Sequence, residues 1–496
     1  TYGLYPNLFL EVIRVACELG MTSVNFGITT YDFKASLGAE LEPVVYLLKA
    51  FERPEYSAGY AELFDTGIRQ PANRHRAFSG QVPSRVEPDE VRQRLHDDVV
   101  TRDPFARLDS YVRADLSRVA GVYPFSPVFE SAQEPVVTQE GREVIMLGTN
   151  SYLGLATDQR VKDAAKAAIE RYGSGCSGSP MLNGTLDLHV ELARRLARFT
   201  QQDDALVLST GYQTNVGVVS ALVRDGDVVL MDERCHASLI DGARLSRATI
   251  VRYRHADTSS LAAELERTAP RRTLVVTDSL FSMEGTVVDL PTIIELVRSN
   301  QARLLLDESH AIGVMGPGGR GVAEMYGLLD QVDLLMGTLS KSLASIGGFV
   351  AGDRKIIDTL RHTARSHLFS ASLPPASVAA AICALDIIEQ EPERRCRLLS
   401  NARYLAGGLR QLGYQVGDHG NAILPVDCSN ELLALAAYQQ LLAQGVFVNP
   451  VTYPAVPKGD ELLRISVMAT HTDEMLRRAL EAFERIRTKT WPSPTA

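Results

Sequence analysis

The chain has 496 residues, of which 45% are hydrophobic and 22% charged, and a formal net charge of −9. This is the balance of a globular protein of about two to four domains with a full apolar core, and it excludes wholesale disorder. The acidic excess gives no global attraction to nucleic acid or to an anionic membrane, and no apolar run approaches the roughly 18 residues of a spanning helix.

Residues 1–66 carry a compact α/β pattern. LFLEVIRVACELG (8–20) spaces its apolar residues as a helix does and stops on Gly20. TSVNFGI (22–28) and LEPVVYLLKAF (41–51) read as strands, with a short helix over TYDFKASLG (30–38) between them. Residues 67–105 are rich in Arg and Pro and poor in large apolar side chains, which predicts a linker with one polar helix over 88–98. No aromatic residues interleave with its basic ones, so it reads as solvated surface rather than a nucleic-acid patch.

From about 106 to 488, strands and helices alternate. Helices are predicted over 158–172, 188–199, 259–268 and 291–299. Strands are predicted over 205–209, 227–232, 273–278, 303–307, 333–337 and 347–352. Most of these strands are short, continuous apolar runs, as expected when helices cover both faces of a parallel sheet. The expected organisation is a large, mainly parallel α/β domain over 106–394 and a smaller α+β subdomain over 395–496. The six cysteines, Cys17, Cys176, Cys235, Cys383, Cys396 and Cys428, are scattered and form no C-x-x-C. That suits a reducing cytoplasm and argues against a disulfide framework or a structural zinc. The histidines show no ligand spacing, so no metal is expected. Thr1 opens the chain without a basic region followed by an apolar one, so no signal peptide is read, and the chain is expected to begin inside a longer polypeptide.

GSGCSG (173–178) and GPGGRG (316–321) both match G-x-G-x-x-G. A dinucleotide fingerprint needs a strand before it and a helix opening on it. The first string follows a helix and the second lies in a Gly-rich loop, so neither qualifies. The informative residues stand just after predicted strands, where ligands bind in open α/β sheets. Asp307 ends RLLLD, Lys341 follows DLLMGTLS, His236 follows DVVLMDERC, and STGYQTN (209–215) follows ALVLS and opens a helix.

Pyridoxal phosphate chemistry needs this combination. A lysine forms a Schiff base with the aldehyde, and a carboxylate keeps the pyridine nitrogen protonated so that the ring accepts electrons. Backbone N–H groups at a helix N-terminus, here of Gly211 and Tyr212, suit the phosphate, and the Thr338 hydroxyl can add to them. His236 is the candidate ring against the pyridine face.

These strings belong to a recognisable pattern. From about 115 to 485 the chain resembles the α-oxoamine synthases, which include serine palmitoyltransferase, 8-amino-7-oxononanoate synthase and 5-aminolevulinate synthase. The resemblance is carried by GVYPF (121–125), GTNSYLGL (148–155), GSGCSGSPMLNGT (173–185), STGYQTN (209–215) and DERCHASLIDG (232–242). It continues through SLFSMEG (279–285), DESHAIGVMGPGGRG (307–321), GTLSKSLASIGG (337–348), FSASLPP (369–375) and LLRISVMATHT (462–472). The form of GSGCSGSPMLNGT resembles the serine palmitoyltransferase and secondary-metabolic branches most.

The resemblance implies a fold of the aspartate-aminotransferase type, fold type I, working as a homodimer with shared active sites. It implies that Lys341 is the Schiff-base lysine and proton shuttle, that Asp307 pairs with the ring nitrogen, that His236 stacks on the ring, and that His310 sits near the ring oxygen. Ser282 would hydrogen-bond near the ring. Thr338, Gly211 and Tyr212 would bind phosphate, and Ser370 would reach the phosphate of the partner subunit. Arg464 would take the amino-acid carboxylate in a pocket that Asn150 lines. The implied activity is decarboxylative condensation of an α-amino acid with an acyl thioester, on coenzyme A or on an acyl-carrier protein, giving an α-amino ketone. An aminotransferase and a non-catalytic partner subunit are the alternatives. Residues 1–66 resemble the C-terminal half of a GNAT-type acyltransferase, without that family's pyrophosphate loop.

Overall fold

The computed structural model describes Phe105, residues 123–417 and residues 419–490. The expected acyltransferase-like segment over 1–66 and nearly all of the linker over 67–105 lie outside the described residues.

A hairpin comes first, β1 (Val136–Gln139) and β2 (Arg142–Met146), followed by helices α1 (Gln159–Tyr172) and α2 (Asp187–Phe199). The alternating series is β3 (Asp204–Leu208), α3 (Gly211–Leu222), β4 (Val228–Asp232), α4 (Ala237–Ser246), β5 (Thr249–Tyr253) and α5 (Thr258–Thr268). It goes on through β6 (Thr273–Asp278), α6 (Leu290–Ser299), β7 (Arg303–Asp307), β8 (Leu334–Thr338) and β9 (Gly348–Gly352). Then come α7 (Arg354–Thr363), α8 (Pro375–Gln390), α9 (Pro392–Gln411), β10 (Ile423–Asp427), α10 (Glu431–Ala443), β11 (Val446–Phe447), β12 (Asn449–Val451), β13 (Leu462–Ser466) and α11 (Asp473–Thr490).

Seven strands form the main sheet in the order β3-β9-β8-β7-β6-β4-β5. The pairs from β5 through β8 are parallel, and β9 runs against both of its neighbours. Side chains alternate across the sheet into two apolar layers. Val228 and Leu230 of β4, with Leu304 and Leu306 of β7, enter the layer that holds Leu192, Leu196, Leu261 and Leu385. Val229, Met231 and Leu305 enter the opposite layer, with Val218, Leu239, Ile357 and Leu360. Burial on both faces is why these strands read as unbroken apolar runs. β5, which the pattern reading missed, is an edge strand that leaves Thr249 and Arg252 exposed, so no apolar run betrays it.

The helix starts are local. The Thr210 hydroxyl accepts the Gln213 N–H at 3.0 Å and caps α3, and Asp289 caps α6 at the Thr292 N–H with Pro291 in the first turn. The C-terminal part carries a second sheet, β10-β13-β12, antiparallel throughout. A third sheet joins β1 and β2 to β11. The hairpin at 136–146 thus shares a sheet with a strand of the C-terminal stretch, although it is distant from it in sequence.

Candidate active site

The carboxyl ends of β6, β7 and β8 meet the loop after β4 and the C-terminal sheet at one cleft. Asp278 and Asp307 end adjacent parallel strands and are register partners, so their side chains start side by side. Both are buried. Asp307 accepts from Asn215 Nδ2 at 2.7 Å through one oxygen and from the Ser309 N–H at 2.9 Å through the other. Asp278 accepts the His236 N–H at 3.0 Å. Burial pushes the Asp278 carboxyl well above the usual carboxylate range, and the Asp307 charge adds to it.

Lys341 stands in the turn after β8, surrounded by protein but open to the cleft. Burial pushes its ammonium down to about 8; Asp307 and Asp278 oppose that shift, while Arg464 adds to it. His236 precedes α4 and caps it through Nδ1, which also lies 2.7 Å from the Ser238 hydroxyl. Burial lowers the His236 imidazole, and burial lowers that of His310 well below its usual value, with Lys341, Arg464 and His236 adding to the latter. His310 Nδ1 lies 2.7 Å from the Tyr152 hydroxyl.

At the same end of the main sheet, α3 begins after β3 on the β8 side of the cleft. A Cβ on Gly211 would come within 2.9 Å of Thr338 Oγ1, and one on Gly348 within 2.7 Å of the Gly211 Cα. Only glycines allow the helix start to lie this close to β8 and β9. Thr338 Oγ1 bonds Ser340 Oγ at 2.8 Å and donates to the Gly347 carbonyl at 3.0 Å. The rings of Tyr212 and His236 meet in a T-shaped arrangement with centroids 6.3 Å apart, and the Tyr212 hydroxyl donates to Asp241. Ser370 accepts from Gln213 Nε2 at 3.4 Å, in the first turn of α3. The Gln213 Oε1 and Asn215 Oδ1 atoms are buried and have no partner among the described residues.

The C-terminal sheet supplies Arg464 on β13, the middle strand, between Pro425 of β10 and Asn449 of β12. It is buried. Its Nε donates to the Ser282 carbonyl, its Nη1 to Ser466 Oγ at 2.8 Å, and its Nη2 to Asn150 Oδ1 at 2.9 Å and to the Tyr152 hydroxyl at 3.2 Å. All four partners are neutral, and no carboxylate among the described residues pairs with it. A buried cation without an anion is costly in this form and becomes favourable once an anion arrives.

The structure therefore brings Lys341, Asp307, His236, His310, Ser282, Asn150 and Arg464 to one cleft, and places Gly211, Tyr212, Thr338 and Ser370 together beside it. Sequence reading missed three neighbours of the set. Asp278 ends TLVVTD just as Asp307 ends RLLLD, a signal that could have found it. Asn215 was quoted inside STGYQTN and Tyr152 inside GTNSYLGL, but only the fold shows which groups they touch. Among the described residues no cluster of His, Cys, Asp and Glu could hold a metal ion, and no helix is long and apolar enough to cross a membrane.

A parallel-centred α/β sheet thus carries a lysine, a carboxylate and a histidine at its strand ends. Comparison gives the family. The aminotransferase class I and II family matches residues 142–483. A putative 8-amino-7-oxononanoate synthase 2 of Mycobacterium tuberculosis is 43% identical over 488 residues, 97% of this chain and 62% of that protein. Serine palmitoyltransferase of Sphingobacterium spiritivorum is 45% identical over 367 residues, 74% of this chain and 92% of that protein. A solved structure of serine palmitoyltransferase with its pyridoxal phosphate internal aldimine superposes with a TM-score of 0.77 at 37% identity, covering 79% of this chain and 100% of that one.

The chain belongs to the aminotransferase class I and II family, its relatives here are α-oxoamine synthases, and its fold is fold type I. The chain spans 62% of the length of the Mycobacterium tuberculosis relative, a match that takes in most of the first 122 residues.

Proposed function

We propose that this chain binds pyridoxal phosphate and condenses an α-amino acid with an acyl thioester, releasing carbon dioxide and leaving an α-amino ketone. The observation that carries the reading is the pairing of a low-pKa lysine beside two aspartates with a buried arginine that meets no anion among the described residues, across the same cleft.

The residues fit the cofactor. Lys341 offers an amine held down to about 8, so a useful fraction is neutral near pH 7 and able to hold an aldehyde. Asp307, oriented by Asn215 and Ser309, is built to keep a proton on a ring nitrogen. Gly211, Tyr212 and Thr338 form a close-packed helix start suited to a phosphate. Ser370 would reach the phosphate of the partner subunit, in a homodimer with shared sites. When bound, the cofactor supplies an aldehyde for amines and a protonated ring that draws electrons from Cα.

The chain's own residues do the rest. Arg464 takes the amino-acid carboxylate as a fork, with Asn150 beside it, and so fixes which Cα bond is held ready to break. Lys341 removes the Cα proton. His236 would pack on the ring face, His310 would sit near the ring oxygen and Ser282 would hydrogen-bond near the ring, with His310 kept neutral by burial and oriented by Tyr152. The thioester comes on coenzyme A or on a carrier protein. We place the enzyme in the cytoplasm, and residues 1–66 as part of an acyltransferase unit that prepares the thioester.

Arg464, a cation with only neutral partners, favours retention of a substrate carboxylate in the cleft over a non-catalytic role for the chain. The test is a panel of carboxyl-labelled amino acids given to the holoenzyme with an acyl thioester. The expected result is thioester-dependent release of labelled carbon dioxide with one or a few amino acids. Transfer of the amino group to a keto acid, without carbon dioxide, would show an aminotransferase instead.

A further inference from the structure

Three residues outside the groups assigned above form one ion triplet that joins three loops bearing site residues. Arg234 Nη1 donates to Glu284 at 2.7 Å and its Nη2 donates to Asp460 at 2.7 Å. Each member is a near neighbour in sequence of a site residue. Arg234 precedes His236 by two positions, Glu284 follows Ser282 by two, and Asp460 precedes Arg464 by four. The triplet therefore ties the loop after β4, the turn at 281–285 and the loop between β12 and β13 to one another.

The turn at 281–285 is also the place where the main sheet's loops bear on the C-terminal sheet. The Gly285 carbonyl accepts from Asn421 Nδ2 at 2.8 Å, and Met283 packs on Val451, Val456 and Leu462. Behind the turn, His255 sits between Asp232 Oδ1 at 3.0 Å and Thr286 Oγ1 at 3.3 Å, which anchors the turn to β4. The turn's Ser282 carbonyl is the acceptor for Arg464 Nε. Movement of the turn relative to β13 would thus re-aim the guanidinium. The planar fork of an arginine can serve two carboxylates from separate nitrogens, whereas a lysine is a single point of charge. The side chains of Arg234 and Glu284 are largely sheltered while Asp460 is half-exposed, so the triplet is screened less than a surface pair.

We propose that Arg234 is a positioning residue for amino-acid binding: by holding Glu284 and Asp460 together it sets the Ser282 carbonyl and the 452–461 loop, and through them the aim of Arg464. This rests on the carboxylate-binding role given to Arg464 above. Arg234 would act through Glu284 and Asp460 rather than by touching substrate or cofactor.

The test uses the full-length holoenzyme with Arg234→Met, Arg234→Lys and Asp460→Asn. Hydrogen exchange of residues 452–461, measured without substrate, should quicken in Arg234→Met and Asp460→Asn. The amino-acid dissociation constant, read by absorbance titration, should rise about 5- to 10-fold in Arg234→Met, less in Arg234→Lys, with the KM for the thioester unmoved. The double variant Arg234→Met/Asp460→Asn should be little worse than Arg234→Met alone, because the two act through one contact. Unchanged exchange over 452–461, or amino-acid affinity within twofold of the parent, overturns the proposal. If the parent holoenzyme binds no amino acid, the functional reading falls, while the exchange measurement still decides the clamp.

Discussion

Lys341, on the wall of the cleft built from the main sheet, faces two aspartates, whereas Arg464, on the wall built from the C-terminal sheet, faces no carboxyl group among the described residues. The difference follows from how each wall is made. Parallel strands end together, so β6 and β7 deliver Asp278 and Asp307 to adjacent points and β8 delivers Lys341 beside them. The Asp307 charge stands near the lysine before any ligand arrives, and Asp307, with Asp278, opposes the burial that pushes the lysine's proton off. Arg464 lies mid-strand in an antiparallel sheet and is caged by a carbonyl, two hydroxyls and an amide. The balanced wall suits a cofactor that stays, and the unbalanced wall suits an anion that comes and goes.

Substitutions on the two walls should therefore fail in different ways. Lys341→Ala has the largest expected effect: covalent attachment of the cofactor is lost and turnover falls by at least about 10³-fold, measured by labelled carbon dioxide release. Asp307→Asn should keep the fold and bind cofactor but slow turnover by about 10²-fold, because an amide does not hold a ring proton; unchanged turnover would assign that task to another group.

Arg464→Ala leaves the balanced wall untouched. It should weaken amino-acid binding by about 1.5–3 kcal/mol, which is about 10- to 150-fold, with cofactor absorbance as in the parent. A change confined to thioester affinity would move Arg464 to the other substrate. A smaller effect concerns pH. With the Lys341 amine pushed down to about 8, the rate at which apoprotein takes up the aldehyde should rise between pH 7 and 9 and level off above. Asp307 raises this value, so Asp307→Asn should shift the midpoint downward; an upward shift would contradict the charge assignment. The smallest effect belongs to the N-terminal segment, where deletion of residues 1–100 should leave condensation of a supplied thioester nearly intact. Loss of cofactor binding on truncation would make that segment part of the synthase fold.

Most of the main sheet was legible from the chain, and so was half of the site. The strand runs that end in Asp307 and precede Lys341 announce themselves because burial on both faces demands unbroken apolar residues, after which a polar residue stands out. The edge strand β5 was silent because one of its faces meets water. Roles for Arg464, Asn150, Ser282 and Ser370 came only through resemblance. Nothing in LLRIS itself distinguishes a buried arginine from an exposed one, since alternation in a short strand fits either face.

The amino-acid sequence by itself determined the local events: which segments are strand or helix, where α3 and α6 are capped, and which polar residues follow strands. Each of these depends on residues within a few positions of one another. Only the tertiary structure decided that Asp278 stands beside Asp307, that Tyr152 touches both His310, 158 positions on, and Arg464, 312 positions on, and that Arg464 pairs with no carboxylate among the described residues. Those contacts arise from strand order and from the docking of one sheet on another. They are set by the summed burial of two apolar layers, which no short stretch of sequence contains.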